Sequence, residues 1–132
     1  MTITDFIAGA ELPPLRIAPI TRTTLALFAG ASGDHQPTHL DIDAARAKGR
    51  EDVIAHGMLM MAYLGRLLTE AVAQQRIRSY RARFLATTPV RAQPTCTGRV
   101  VAVEGGLATL ELAITLENGT VVVRGEAVLD IG

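Results

Sequence analysis

The chain is predicted to be a single α+β domain in which an antiparallel sheet wraps around one long helix. Two features of the sequence predict this: a segment from Met58 to Gln74 whose apolar side chains would surround a helix almost completely, and later segments whose apolar side chains alternate at period two between glycine-bearing turns. Size is the third. The 132 residues are 48% hydrophobic and 20% charged, which fits one core across residues 1–132 and argues against disorder.

Each element has its own signal. Pro13, Pro14 and Pro19 make the first twenty residues an irregular lead-in with room for one edge strand. Leu25, Phe28 and Ala29 recur at i, i+3 and i+4, predicting a short helix that Thr21 or Thr23 caps and Gly33 ends. Ser32 to His39 gathers polar groups around Gly33 and Pro37 and reads as a loop. Asp41 or Asp43 caps a second short helix through Ala44, Ala45 and Ala47, stopping at Gly49.

The long helix covers about residues 57–74 and is apolar nearly all the way round, so burial on every side is expected. Gly65 inside it costs about 1 kcal/mol relative to Ala, which points to a neighbour packed close by. Beyond it, Ser79 to Ala86 places Tyr80, Ala82, Phe84 and Ala86 on one face of a strand and Arg81 and Arg83 on the other. Ala108, Leu110, Leu112, Ile114 and Leu116 alternate in the same way. Gly105-Gly106 and Asn118-Gly119, the latter as a type I′ turn, join the segments from Cys96 to Leu129 into a meander.

Thirteen basic residues balance thirteen acidic ones, so no overall field favours nucleic acid or an anionic membrane. No apolar run approaches the roughly 20 residues of a membrane span. Cys96 is the single cysteine, and the N-terminal segment lacks the basic start of a secretion signal; a soluble protein of the cytoplasm is expected.

The chemistry-bearing residues lie in two short stretches. Asp34 and His39 flank Pro37 in the polar loop, where a turn brings a carboxylate and an imidazole together; such a pair moves protons near neutrality. The plainer reading leaves Asp34 bonding loop amides and His39 at the surface. In Ile54-Ala55-His56-Gly57-Met58, Gly57 opens the long helix, where unpaired N–H groups carry partial positive charge suited to a developing oxyanion. His56 reads either as part of that site or as a capping or core histidine.

Taken together, Ser32-Gly33-Asp34-His35-Gln36-Pro37-Thr38-His39 and Ile54-Ala55-His56-Gly57-Met58-Leu59 resemble the paired motifs of the MaoC-like, (R)-specific enoyl-thioester hydratases of the hot-dog fold. The resemblance covers nearly the whole chain. It implies catalytic roles for Asp34 and His39, an oxyanion-binding amide at Gly57, and addition of water to trans-2-enoyl thioesters with dehydration of (R)-3-hydroxyacyl thioesters as the reverse. Around these, Ser32, His56, Met58, Met60, Met61 and Tyr63 are the expected substrate contacts, the methionines adapting to an acyl chain or simply filling the core. The departures are Gln36 where the family usually has Asn, Gly49-Arg50-Glu51-Asp52-Val53 in place of a Gly-Phe-x-x-Pro stretch, and Gly65 where some members carry Ser.

Charge patterning adds a separate feature. No acid lies between Glu70 and Glu104, yet Arg76, Arg78, Arg81, Arg83, Arg91 and Arg99 do. That cluster suits the phosphates of coenzyme A or of a carrier-protein phosphopantetheine, with Arg81 and Arg83 as contacts, or else it is a solvated strand face. A metal reading would recruit Asp34, His35, His39, Asp41 and His56, and a nucleophilic reading Ser32, but neither has the ligand spacing or nucleophile elbow it needs. No metal and no cofactor are expected. The remaining alternatives are a thioesterase, disfavoured because the long helix offers no acid before Glu70, and a non-catalytic acyl-binding subunit of a hetero-oligomer. Uncovered sheet edges predict at least a homodimer acting on an acyl-CoA or acyl-carrier-protein thioester.

Overall fold

The structure, a computed structural model, describes residues 5–132. Strand β1 (Leu15–Arg16) precedes helices α1 (Arg22–Ser32), α2 (Pro37–Leu40), α3 (Ile42–Ala47) and α4 (Gly57–Ala71). Strands β2 (Ile77–Phe84), β3 (Thr95–Glu104), β4 (Leu107–Thr115) and β5 (Val121–Asp130) follow, and the sheet runs β1-β3-β4-β5-β2 with antiparallel pairing throughout. The meander from Cys96 onward is therefore found, with β2 returning to its far edge beside β5.

Helix and sheet meet through the alternation that the sequence displays. Ala108, Leu110, Leu112 and Ile114 of β4 are buried, as are Ala127 and Leu129 of β5, and they share one core with Leu59, Met60, Leu64, Leu67 and Leu68 of α4. Gly125 lets α4 approach. A Cβ at that position would stand 2.7 Å from the Arg81 carbonyl oxygen and 3.5 Å from a Leu64 methyl.

The caps are those the sequence offers. Thr21 rather than Thr23 begins α1, its hydroxyl accepting from Thr24 N–H at 3.0 Å, and Asp41 rather than Asp43 begins α3, accepting from Asp43 and Ala44 N–H. Gly33 ends α1 in the left-handed conformation, with φ +78°.

Four expectations need correction. Helix α4 stops at Ala71, short of Gln74, because Val72 is extended and Gln74–Arg76 form a separate 3-10 turn. It is also not buried on every side: the sheet curls over one flank, leaving Met58 57% exposed and Ala62 and Arg66 at the surface. Residues of the polar loop form helix too, since Pro37 sits at the first position of α2 and pre-sets its backbone. Finally, the Asn118-Gly119 turn is not type I′. Only Gly119 has positive φ, at +87°, and paired bonds between Leu116 and Gly119 (2.9 Å) and Leu116 and Thr120 (2.8 Å) make a type I turn followed by a glycine bulge. Asn118 is held there by Thr120 N–H, which donates to its side chain at 3.0 Å. By contrast Gly105 and Gly106, with φ of +59° and +75°, form the two-residue type I′ hairpin between β3 and β4.

Because the Gly125 contact is with backbone, relief requires β2 to move. Gly125→Ala is expected to destabilise the fold by about 1–3 kcal/mol, read as a lower urea midpoint at unchanged slope.

Candidate active site

The Asp34–His39 pair is built by three local devices. Gly33 turns the chain out of α1, and Asp34 then makes an Asx turn, its Oδ1 accepting Gln36 N–H at 3.3 Å. This leaves Oδ2 free to face the next helix. His39 is the third residue of α2, and its Nδ1 lies 2.8 Å from the Ile54 carbonyl oxygen. A carbonyl only accepts, so Nδ1 carries a proton, and in the neutral form of the ring the lone pair is at Nε2. That atom stands 3.7 Å from Asp34 Oδ2, beyond a direct hydrogen bond but close enough for one water oxygen to touch both.

Ile54 acts twice here. Its N–H donates to the Thr38 carbonyl at 3.1 Å while its carbonyl holds His39, so the segment before α4 braces α2 from below. Nothing in the sequence pattern singles out Ile54 for this, because backbone atoms do the work. Phe28, also missed, had a signal: it lies four residues before Ser32 on one face of α1.

His56 is buried, 1% exposed, and donates from Nε2 to the Asp34 carbonyl at 3.1 Å. Its ring stacks on His39 at 3.8 Å and 20°, and meets Phe28 edge-on at 4.9 Å. Burial pushes its pKa below the ordinary 6.5; the His39 charge adds to this, while the Asp34 carbonyl and carboxylate oppose it. His56 thus occupies the N-cap position of α4, but its ring makes no bond to the first turn and is closed off from solvent. Donor atoms of Asp34, His39 and His56 lie within 4.8 Å of one another, but stacked imidazoles aim their in-plane lone pairs side by side rather than at one ion.

Two cavities flank the pair. One, about 590 Å³ and lined almost wholly by carbon, runs from Ser32 and Asp34 past Phe28, Met58 and Met61 to Gly65 and Tyr80. The other, about 360 Å³, joins His39 to Gly57, Met60 and Phe84. The Gly57 N–H opens the 15-residue α4 without a backbone partner among the described residues, and a Cβ at that position would meet the Phe84 ring at 3.5 Å. Tyr80 is the neighbour at Gly65, where an added Cβ would meet its ring at an ordinary 3.5 Å, and its hydroxyl donates to the Met61 carbonyl at 2.6 Å.

The structure thus gathers Ser32, Asp34, His39, His56, Gly57, Met58, Met60 and Met61, and leaves out three expected contacts. Tyr63 packs against the core instead. Arg81 and Arg83 stand on the sheet face opposite α4, and Arg81 is paired to Glu126 at 3.0 Å. Half of the basic run is paired with distant acids, since Arg78 bonds Asp130 at 2.5 Å and Arg91 approaches Asp52 at 3.6 Å, because sheet pairing and loop packing bring in acids far away in sequence.

Comparison with known proteins places the molecule. Residues 9–122 match the model of the MaoC like domain, and the chain belongs to that family. A 3-hydroxyacyl-thioester dehydratase Z of Mycobacterium tuberculosis is 34% identical over 127 residues, covering 91% of this chain and 82% of that protein. Among solved structures, an (R)-hydratase from A. caviae involved in PHA biosynthesis superposes with a TM-score of 0.84 at 27% identity, over 96% of this chain and 97% of that one. The ChsH1-ChsH2 complex from Mycobacterium tuberculosis gives a TM-score of 0.84 at 26% identity, over 94% and 97%. The fold is the hot-dog fold, and by family the chain is a hydro-lyase of the hydratase and dehydratase class. No helix among the described residues is long and apolar enough to cross a membrane.

The burial of His56 has a pH consequence. With its native pKa below 6.5, the unfolded chain takes up the proton first, so its contribution to stability is complete above about 6.5 and is lost as pH falls through the lowered native value. His56→Phe should flatten the fall in urea midpoint between about pH 6.5 and 5, whatever its effect on the midpoint at neutral pH.

Proposed function

We propose that this chain hydrates trans-2-enoyl thioesters to (R)-3-hydroxyacyl thioesters and catalyses the reverse dehydration. The observation that carries this reading is the convergence of Asp34 Oδ2 and the unprotonated Nε2 of His39 at one-water spacing. In the forward direction the water oxygen bonds C3 while the pair takes one of its protons, and a proton from the pair is delivered to C2, so no net proton is consumed. Charge builds on the thioester oxygen as the enolate forms. The Gly57 N–H, on the same cavity as His39, is placed to receive it, a donor of a kind worth about 3 kcal/mol in other enzymes.

The carbon-lined cavity takes the acyl chain along Met58 and Met61 toward Gly65 and Tyr80. The exposed flank of α4 and the open edge of β2 call for a second chain, a copy or a homologue, in keeping with the two-component ChsH1-ChsH2 relative. A buried free Cys96 accords with a reducing cytoplasm. Hydrolysis is disfavoured, because the only acid on α4 is the exposed Glu70 near its far end.

The purified chain is expected to remove the enoyl absorbance of crotonyl-CoA without releasing thiol. Asp34→Asn and His39→Gln should each lower kcat at least about 100-fold with the fold intact by circular dichroism. Thiol release would instead mark a thioesterase, and binding without turnover by the chain alone would mark a partner subunit. Gly65→Leu should shorten the chain length accepted, lowering kcat/KM for a long enoyl-CoA about tenfold relative to crotonyl-CoA.

A further inference from the structure

We infer that His56 is a positioning residue for this reaction: a neutral, Nε2-protonated imidazole that fixes the Asp34 loop by a hydrogen bond and the His39 ring by stacking, and that takes no proton itself. The inference rests on the hydratase reading and adds to it a group that touches neither water nor thioester.

Three contacts converge on one buried ring. Its Nε2–H holds the Asp34 carbonyl at 3.1 Å, so the backbone that carries the carboxylate is tied to the start of α4. Its face holds His39 at 3.8 Å, which fixes the plane in which the His39 Nε2 lone pair lies. Its edge meets Phe28 of α1 at 4.9 Å, which closes the stack from the other side. The next residue in the chain is Gly57, so all three groups of the proposed site are registered to this single side chain.

The remaining ring atom reveals the protonation state. Nδ1 is buried and has no hydrogen-bond partner among the described residues. A lone pair in that position costs some hydration, whereas an N–H there would be an orphaned donor and, with Nε2 already protonated, would make the buried ring a cation. The titratable groups packed on His56 are Asp34, from the loop after α1, and His39, from α2. Between them they already account for the proton traffic, and the hydrogen bond to a carbonyl rather than to a carboxylate leaves His56 no acid to exchange with.

Alternative roles fit less well. A helix cap would show a side-chain bond to the first turn of α4, which His56 lacks. A substrate contact would need an exposed edge, and the residue is 1% exposed.

The test separates the donor from the ring. His56→Gln keeps a donor at the reach of Nε2 without the stack, His56→Phe keeps the stack without the donor, and His56→Leu keeps neither. With crotonyl-CoA, His56→Leu is expected to lose about 100-fold in kcat, the scale of a misplaced catalytic group, with KM within about threefold of wild type. Gln and Phe should each recover about tenfold of that loss. Equal losses in all three variants, tracking their loss of melting temperature, or no loss in any of them, would overturn the assignment.

A second measurement needs no turnover. Long-range 1H–15N spectra of the imidazole-labelled wild-type protein should show His56 as the neutral Nε2–H tautomer and His39 as Nδ1–H at pH 7, with His56 still neutral where free histidine is charged. A charged His56, or one protonated at Nδ1 alone, sinks the positioning role even if the enzyme is active. Failure of the wild-type chain to hydrate any enoyl thioester would refute the proposed function, and the spectra would still decide how His56 is held.

Discussion

The bond from His39 Nδ1 to the Ile54 carbonyl is the constraint on which the rest of the site depends. An imidazole without it is free to interchange its two tautomers and to flip; with it, only one nitrogen is left to meet the Asp34 carboxylate. The carbonyl is itself immobile, because Ile54 is bonded to Thr38, bridged to Pro89, and followed two residues later by buried His56 at the threshold of α4. The reactive geometry is therefore set by backbone anchored to the core helix, together with the turn at Asp34 and the short helix α2 that carries His39.

Much of this was legible in sequence, and the reason is periodicity. Leu110, Leu112, Ile114, Ala127 and Leu129 announce a half-buried sheet, and Leu64, Leu67 and Leu68 announce its covering helix, because burial against a single partner leaves the same spacing in any fold of this kind. Asp34, His39 and Gly57 were legible from motif, since each sits where a turn or a helix start exposes a particular atom. What could not be read was anything that depends on non-local pairing. Asp130 neutralises Arg78 from 52 residues away and Glu126 pairs with Arg81 from 45 away, so a stretch that is purely basic in sequence is partly charge-matched in the fold.

The environment of His56 was illegible for a different reason. A histidine before a helix start has the same signature whether it caps, binds or packs, and only the positions of Phe28, His39 and the Asp34 carbonyl decide between these. The expectation of a helix sealed on all sides failed in an instructive way. Composition reports how apolar α4 is, whereas the area that one chain can supply to cover it depends on how far the sheet curls. Met58 on the bare flank also lines the carbon-walled cavity, so covering that flank and lining the acyl path draw on the same side chain.

Cys96 offers a practical corollary. Its side chain is wholly enclosed beneath β1 and β4, and burial raises its thiol pKa to about 12, so under ordinary conditions it carries almost no nucleophilic thiolate. Ellman-type reagents added to the native protein will consequently report free coenzyme A against a blank background, and maleimide labels will require a cysteine engineered elsewhere. The same inertness protects the folded chain from air oxidation and from mixed disulfides during storage.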